Sequence, residues 1–249
     1  MSMRNLASLL FAVGLAFLLL VIAAQLGFGA PPMRVGGEIL QQAPAEVGAA
    51  NIVTAVLLAY RGIDTLGELS ILFAAATAAG LVLVRRRDAT PARSADPDGG
   101  FILRTGADLL FPLLLVVGIY IVVHGHLTPG GGFQGGVILA AAFFVPVLAR
   151  PGRGIGHGPI AVIEGLAGAA FIVIGLLALL DSGEFLRPLL GPGAMGQLLS
   201  AGTLPLLSVA VGIKVGAELA GLMTTIHEQP ADRPTDRVEA RATRTEGAD

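Results

Sequence analysis

Long apolar runs alternate with short polar stretches from the start of the chain to residue 226. A helix that crosses a bilayer needs about 20 mostly apolar residues. Leu6–Phe28, Leu66–Val84, Thr105–Val123, Ile160–Leu180 and Thr203–Ile226 meet that length. Gly135–Ala149 is shorter, and the glycines ahead of it extend it. Leu6–Phe28 is longer than the apolar core of a secretory leader, and no good cleavage site follows it, so it reads as a retained helix. A further run, Val47–Tyr60, has only about two-thirds of the spanning length and leads directly into "RGIDTLGE".

Charge decides how that short run is read. If it does not cross, Arg4, Arg85–Arg87, Arg150, Arg153 and the tail all fall on one side, as the positive-inside rule asks. If it crosses, Arg4 moves to the other side. The expected fold is therefore an all-α integral membrane protein. It has about six transmembrane helices and one short half-membrane or re-entrant helix, with both termini cytoplasmic and the chain in the cell (inner) membrane. Glu38, Glu46 and Glu184 then lie on the outer face.

Composition agrees. Of 249 residues, 54% are hydrophobic and 14% charged, with mean hydropathy +0.77; a soluble domain carries about a quarter charged residues. Half of the charges sit in residues 85–98 and 228–249. "ATPARSADPDGG" (Ala89–Gly100) reads as a linker. Residues 228–249 have too little apolar surface to fold alone. The expected organisation is a membrane module over residues 1–88, a cytoplasmic linker over 89–104, a four-helix membrane module over 105–227, and a disordered cytoplasmic tail over 228–249. The net charge of −2 gives no reason to expect nucleic acid. No cysteine is present and no phosphate-binding glycine loop, so no disulfide, thiolate metal site or cofactor is expected.

The chemistry concentrates in three places. The first is "HGHLTPGGGFQGG" (His124–Gly136), a hinge between two apolar runs. Pro129 cannot donate a backbone hydrogen bond, and Gly130, Gly131 and Gly132 permit close approach of other backbone. Irregular backbone at membrane depth is tolerated only when covered by protein or lining a cavity. Gly135 and Gly136 suit close helix contact. Histidine is a side chain that can pass protons, which makes His124 and His126 candidates for an ion route; the alternative is that they are ordinary interfacial polar residues. With no carboxylate beside them they do not make a metal site.

The second place holds Arg61, Asp64 and Glu68, spaced three and four apart so that one helix face carries all of them. Arg61 pairs with Asp64 in this reading, which leaves Glu68 one turn deeper among apolar neighbours. The plain alternative is a structural ion pair at a helix start, where carboxylates are favoured by the dipole. The third is Lys214, the sole lysine, with Glu218 four residues on. A charge at mid-bilayer must be paired, wet or neutral, and marks an ion path by default; a neutralised packing feature is the alternative. Glu164 and Asp108, near the ends of their runs, read as interfacial.

"GHLTPGGGFQGGVILAAAF" (Gly125–Phe143) resembles the signature of the MnhB/MrpB component of the Mrp-type multisubunit Na+/H+ antiporters, which also occurs in the matching component of membrane-bound hydrogenases. Leu127 stands where many members have asparagine. "ANIVTAVLLAYRGIDTLGE" (Ala50–Glu68) resembles the C-terminal region of the large A-type component of the same antiporters, a separate small protein in hydrogenases. The resemblance implies an assembly related to complex I in which membrane subunits exchange protons with Na+ or K+. The partners implied are other antiporter subunits, the bilayer and the transported ions. Without the long proton-channel subunits, the chain is implied to be an accessory or path-lining part, with a redox complex or a plain membrane scaffold as alternatives. By the same resemblance Asp64 and Glu68 belong to the ion route, His126 matches the motif histidine, and Pro129, Phe133 and the hinge glycines serve assembly and gating. Arg61 and Gly67 stand in the same motif string as Asp64 and Glu68. Lys214 and Glu218 rest on burial cost alone.

Overall fold

The structure, a computed structural model, describes residues 3–25, 34–87, 100–150 and 156–227. The elements in chain order are α1 (Met3–Gln25), α2 (Arg34–Glu46), α3 (Ile52–Ala55), a π-helical turn (Val56–Tyr60), α4 (Gly62–Arg87), α5 (Phe101–Val123), α6 (Gly132–Ala149), α7 (His157–Ser182) and α8 (Leu204–His227). Six of them, α1 and α4 to α8, are long and apolar enough to cross a membrane. Among the described residues there is no strand. The protein is thus an all-α, multi-pass membrane protein. Residues 88–99, 151–155 and the tail from 228 lie outside the described residues, so the linker and tail expectations rest on sequence.

The short run resolves into two pieces. Val47–Asn51 is not helical, while α3 and the π turn together form one helical segment from Ile52 to Tyr60. At 1.5 Å per residue that segment is about 13 Å long, half of a hydrocarbon core or less. Five of the six spanning helices, α1 and α4 to α7, start three or four residues ahead of their apolar runs. α4 begins at Gly62, so Asp64 lies in its first turn. α6 begins at Gly132, inside the glycine string. α2 has no counterpart among the apolar runs, since "RVGGEILQQAPAE" mixes polar and apolar residues evenly.

Two compact units divide at Glu38 and Ile39. The first holds α1 and the opening of α2. α1 is apolar on every side and nearly all of its described side chains are exposed, the pattern of a helix made to face lipid or another protein.

In the second unit α8 is central: α4, α5, α6 and α7 all pack on it, and α6 also packs along α5. Over half of its length is buried, far more than in any other spanning helix. Missing side chains make this packing possible. A Cβ on Gly136 would stand 2.9 Å from the Gly212 carbonyl oxygen of α8, and one on Gly132 2.5 Å from that of Ser208. On the other side of α6, a Cβ on Gly135 would lie 2.9 Å from the Gly118 carbonyl oxygen of α5. Backbones approach this closely in membranes only through such small residues.

The connection between α7 and α8 returns over the short helix. Leu186 in that connection is fully buried and packs against Gly62, joining a core with Leu58, Leu69, Phe171, Leu204 and Leu207. The π turn closes through the Arg61 amide, which donates to the Val56 carbonyl at 2.8 Å. The Thr65 hydroxyl donates to the Leu57 carbonyl at 2.7 Å and ties the turn to α4. Tyr60 donates to Glu46 at 2.6 Å; desolvation and that bond push its phenol up to about 12.

Candidate functional site

The hinge is held from outside by one asparagine. Asn51 caps α3, its side-chain oxygen accepting from the amides of Val53 and Thr54. Its side-chain nitrogen donates to the carbonyls of Gly125 (2.7 Å) and Thr128 (2.9 Å). Its own amide donates to the His126 carbonyl at 3.0 Å. The Thr54 hydroxyl adds a 2.7 Å bond to the Gly125 carbonyl. The hinge carbonyls are thereby met by a residue pair 71 to 77 positions away. The glycines are needed here: Gly130 and Gly131 adopt φ of 148° and 138°, which side chains oppose. A cavity of about 20 Å³ lies beside this junction, lined by Thr54, Gly131, Phe133 and Ser208 among others. Pro129 is exposed and Phe133 half-buried.

The two histidines differ. His124 stacks on Tyr120 with ring centroids 4.2 Å apart and sets its Nδ1 3.1 Å from the Tyr120 carbonyl oxygen. His126 is fully buried, and neither ring nitrogen has a hydrogen-bond partner among the described residues. Burial pushes the imidazole below its ordinary value; the backbone of Gln197 and Leu198 opposes that, and His124 adds to it. That backbone lies near the ring without reaching hydrogen-bonding geometry. His126 is thus packed inside the hinge, in surroundings that favour the neutral imidazole.

The Lys214 region is a triad rather than a pair. Nζ of Lys214 donates to Glu164 Oε1 at 2.9 Å and to Glu218 Oε2 at 3.1 Å. It also lies 5.1 Å from the centroid of the Phe73 ring, an arrangement in which the ring face attracts the ammonium. Lys214 is 8% exposed and Glu218 4%, midway along the central helix. Spacing alone set Glu164 at the interface. It lies inside because α7 begins at His157, three residues ahead of the apolar run, and sets Glu164 two turns deep against α8. Glu218 Oε1 is buried without a partner among the described residues. Beside the triad is a recess of about 220 Å³ lined by Phe73, Ala76 and Thr77 of α4, Ile160, Ala161 and Glu164 of α7, and Glu218, Gly221, Leu222 and Thr225 of α8.

Arg61, Asp64 and Glu68 are elsewhere. All three are exposed, with Arg61 bonded to Asp64. Gly67, between the carboxylates, has no neighbouring atom where a side chain would stand. Ile63 and Ile71 on the same face are about 70% exposed, so this patch is apolar around its charges. Asp108 pairs with Arg150 at 2.7 Å near the surface, and Glu184 with Arg187 at 3.6 Å. The chain therefore brings Lys214 and Glu218 together with Glu164, and Asn51 with the hinge, and leaves Asp64 and Glu68 apart from both. Asn51 carries a helix-cap signature in the sequence; Glu164 was visible as a carboxylate within an apolar run.

Residues 102–221 match a family model described as a domain related to the MnhB subunit of Na+/H+ antiporters. Residues 3–97 match another, MbhE, described as a component of MBH. An uncharacterised protein of Methanocaldococcus jannaschii is 31% identical over 70% of this chain and 74% of its own length. A probable K+/H+ antiporter component of the A/B type from Rhizobium meliloti is 27% identical over 57% of this chain, which corresponds to only 16% of that protein. Among solved structures, a chain of the membrane-bound sulfane sulfur reductase, an archaeal respiratory membrane complex, aligns at TM-score 0.74 and 38% identity, covering 90% of this chain and 98% of that one. A chain of the Mrp complex from Dietzia sp. aligns at TM-score 0.73 and 27% identity, covering 94% of this chain and 27% of that one.

Proposed function

Since the chain belongs to the family of membrane proteins that carry an MbhE domain followed by an MnhB-related domain, we propose that it lines the ion path of a multisubunit monovalent cation (Na+ or K+)/H+ antiporter. It acts there in an accessory role, with no bond chemistry of its own. The observation that carries this reading is the Glu164–Lys214–Glu218 triad, three ionisable groups held deep among spanning helices beside a recess. Hydrocarbon disfavours such groups by several kcal/mol or more, so they persist where ions or protons pass.

Asp64 and Glu68 form a second station in this reading, at a surface that another protein of the antiporter covers. The hinge glycines, Pro129 and Phe133 set the packing of α6 between α5 and α8, and His124 and His126 stand at its end. Residues 1–88 and 105–227 act as two membrane modules joined by a cytoplasmic linker. The termini face the cytoplasm of a cell whose inner membrane holds the complex, on the strength of the arginine distribution.

The test is reconstitution of the complete complex into vesicles and measurement of proton flux driven by Na+ or K+ gradients. Glu68→Gln and Lys214→Ala, each in an assembled complex, are expected to lower that flux. Assembled complexes of both variants with undiminished flux would return the chain to the role of a scaffold. A second reading is favoured by the 98% coverage of the sulfane sulfur reductase chain: the same protein serving as the ion-translocating part of a redox complex. Purification in mild detergent separates the two, since redox subunits accompany the chain in the second case and antiporter subunits alone in the first.

A further inference from the structure

The triad has an odd charge count, and that determines what it needs. Two carboxylates share one ammonium, so with all three groups ionised the cluster carries one net negative charge. Lys214 has three N–H donors. One is engaged by Glu164 and one by Glu218, and the ammonium also faces the Phe73 ring. Neither it nor any other donor among the described residues reaches the second oxygen of Glu218, which is buried and makes no hydrogen bond. A net charge at this depth is far more costly than a neutral cluster. One further positive charge, placed at Glu218 Oε1, balances the set.

The surroundings supply room and oxygen ligands for it. The recess of about 220 Å³ reaches both Glu164 and Glu218 and is also lined by Thr77 and Thr225. The Thr225 hydroxyl donates its proton to the Gly221 carbonyl at 2.9 Å, which leaves its oxygen lone pairs available as acceptors. Hydroxyl and carboxylate oxygens are hard ligands, suited to alkali and alkaline-earth cations rather than to soft metals. A single balancing charge selects a monovalent ion, and the volume allows it to keep part of its water.

We propose that Glu218, with Glu164 and the two threonine hydroxyls, forms a binding site for one monovalent cation, in which a proton on Glu218 and the bound cation exclude each other. Lys214 is a positioning residue: it fixes both carboxylates and stays in place whichever charge occupies the site. The groups facing Glu218 are Lys214 from α8, Glu164 from α7 and, from α4, Phe73, Ala76 and Thr77, of which none on α4 titrates. The proposal deepens the reading of the chain as part of an ion path. It rests on that reading for the identity of the cargo, but not for the existence of the site.

The experiment uses the intact complex in detergent and the carboxyl reagent dicyclohexylcarbodiimide, which attacks protonated carboxyl groups in apolar surroundings. Modification of Glu218 is read by mass spectrometry. Labelling is expected to rise as pH falls and to be suppressed by NaCl or KCl but not by choline chloride. Glu164→Gln leaves one carboxylate against one ammonium, a neutral pair, and is expected to weaken that protection by about tenfold. Thr225→Val is expected to weaken it less, and Lys214→Arg to preserve it. Glu218 labelling that ignores Na+ and K+, or that choline suppresses equally, overturns the site. Protection that survives Glu164→Gln unchanged overturns the charge-count argument. Proton flux is measured on the same preparation. Cation-sensitive labelling in a complex with no cation-driven flux upholds the site and removes the antiporter reading, so the two failures are distinct.

Discussion

Two clusters in this protein contain the same inventory, one cation and two carboxylates, and they have opposite surroundings. Arg61, Asp64 and Glu68 stand exposed at the start of α4, with Glu68 unpaired among the described residues. Glu164, Lys214 and Glu218 lie inside, bridged by two hydrogen bonds. Both include a step of four residues along one helix, so spacing does not separate them. What separates them is which neighbour arrives. α7 brings a carboxylate and α4 an aromatic ring to the side of α8, whereas the Arg61 face of α4 stays exposed among the described residues. The inner cluster is assembled by the chain itself, all but one carboxylate oxygen, Glu218 Oε1, and the outer one is left for water, headgroups or a neighbouring protein to complete.

The sharpest way to break this contrast is to remove the cation from each. Lys214→Met leaves two carboxylates uncompensated in the interior and is expected to destabilise by about 3–5 kcal/mol. Arg61→Met at the surface is expected to cost under about 1 kcal/mol. Thermal unfolding of the purified complex reads both, and equal losses would mean that the two environments are not distinct.

Next in size is Asn51→Ala, which takes the cap from α3 and two donors from the hinge. A loss of about 2 kcal/mol is expected, and cation-sensitive labelling of Glu218 should be unchanged, because the bonds of Asn51 go to α3 and the hinge and not to the triad. Coupled loss of both would show that hinge and triad act as one unit.

A smaller effect concerns pH. The His126 imidazole is held below its ordinary value of 6.5 in the folded protein, so the unfolded chain binds its proton more readily. The stability that neutral His126 contributes is complete above about pH 6.5 and is lost as pH falls through the lowered folded value. His126→Phe should flatten that part of the stability profile. The outer cluster supplies the smallest expected change: Glu68→Gln should leave the thermal stability of the isolated chain within about 0.5 kcal/mol, while lowering flux in the complex. A drop in stability of the isolated chain instead would place Glu68 in its core.

The six spans were legible because hydrocarbon imposes a length and a composition on anything that crosses it. The short helix was legible as an apolar run too brief to span. Its internal π turn was not, since no residue pattern distinguishes "VLLAY" in that geometry from ordinary helix. Nor was the Asn51 grip, because a cap residue announces a helix start and says nothing of a carbonyl 74 residues away. The position of Glu164 depended on where α7 begins and how it is rotated against α8. Lys214 and Glu218 were visible as a pair through their spacing; Glu164 was visible as a carboxylate, but its contact with Lys214 across helices was not.

The Asn51 grip bears on how such genes are cut and spliced. The two family domains meet between residues 97 and 102, yet Asn51 and Thr54 on one side hold the backbone of Gly125, His126 and Thr128 on the other. None of these bonds runs through the peptide between the domains, so a chain severed there and made as two pieces is expected to keep them.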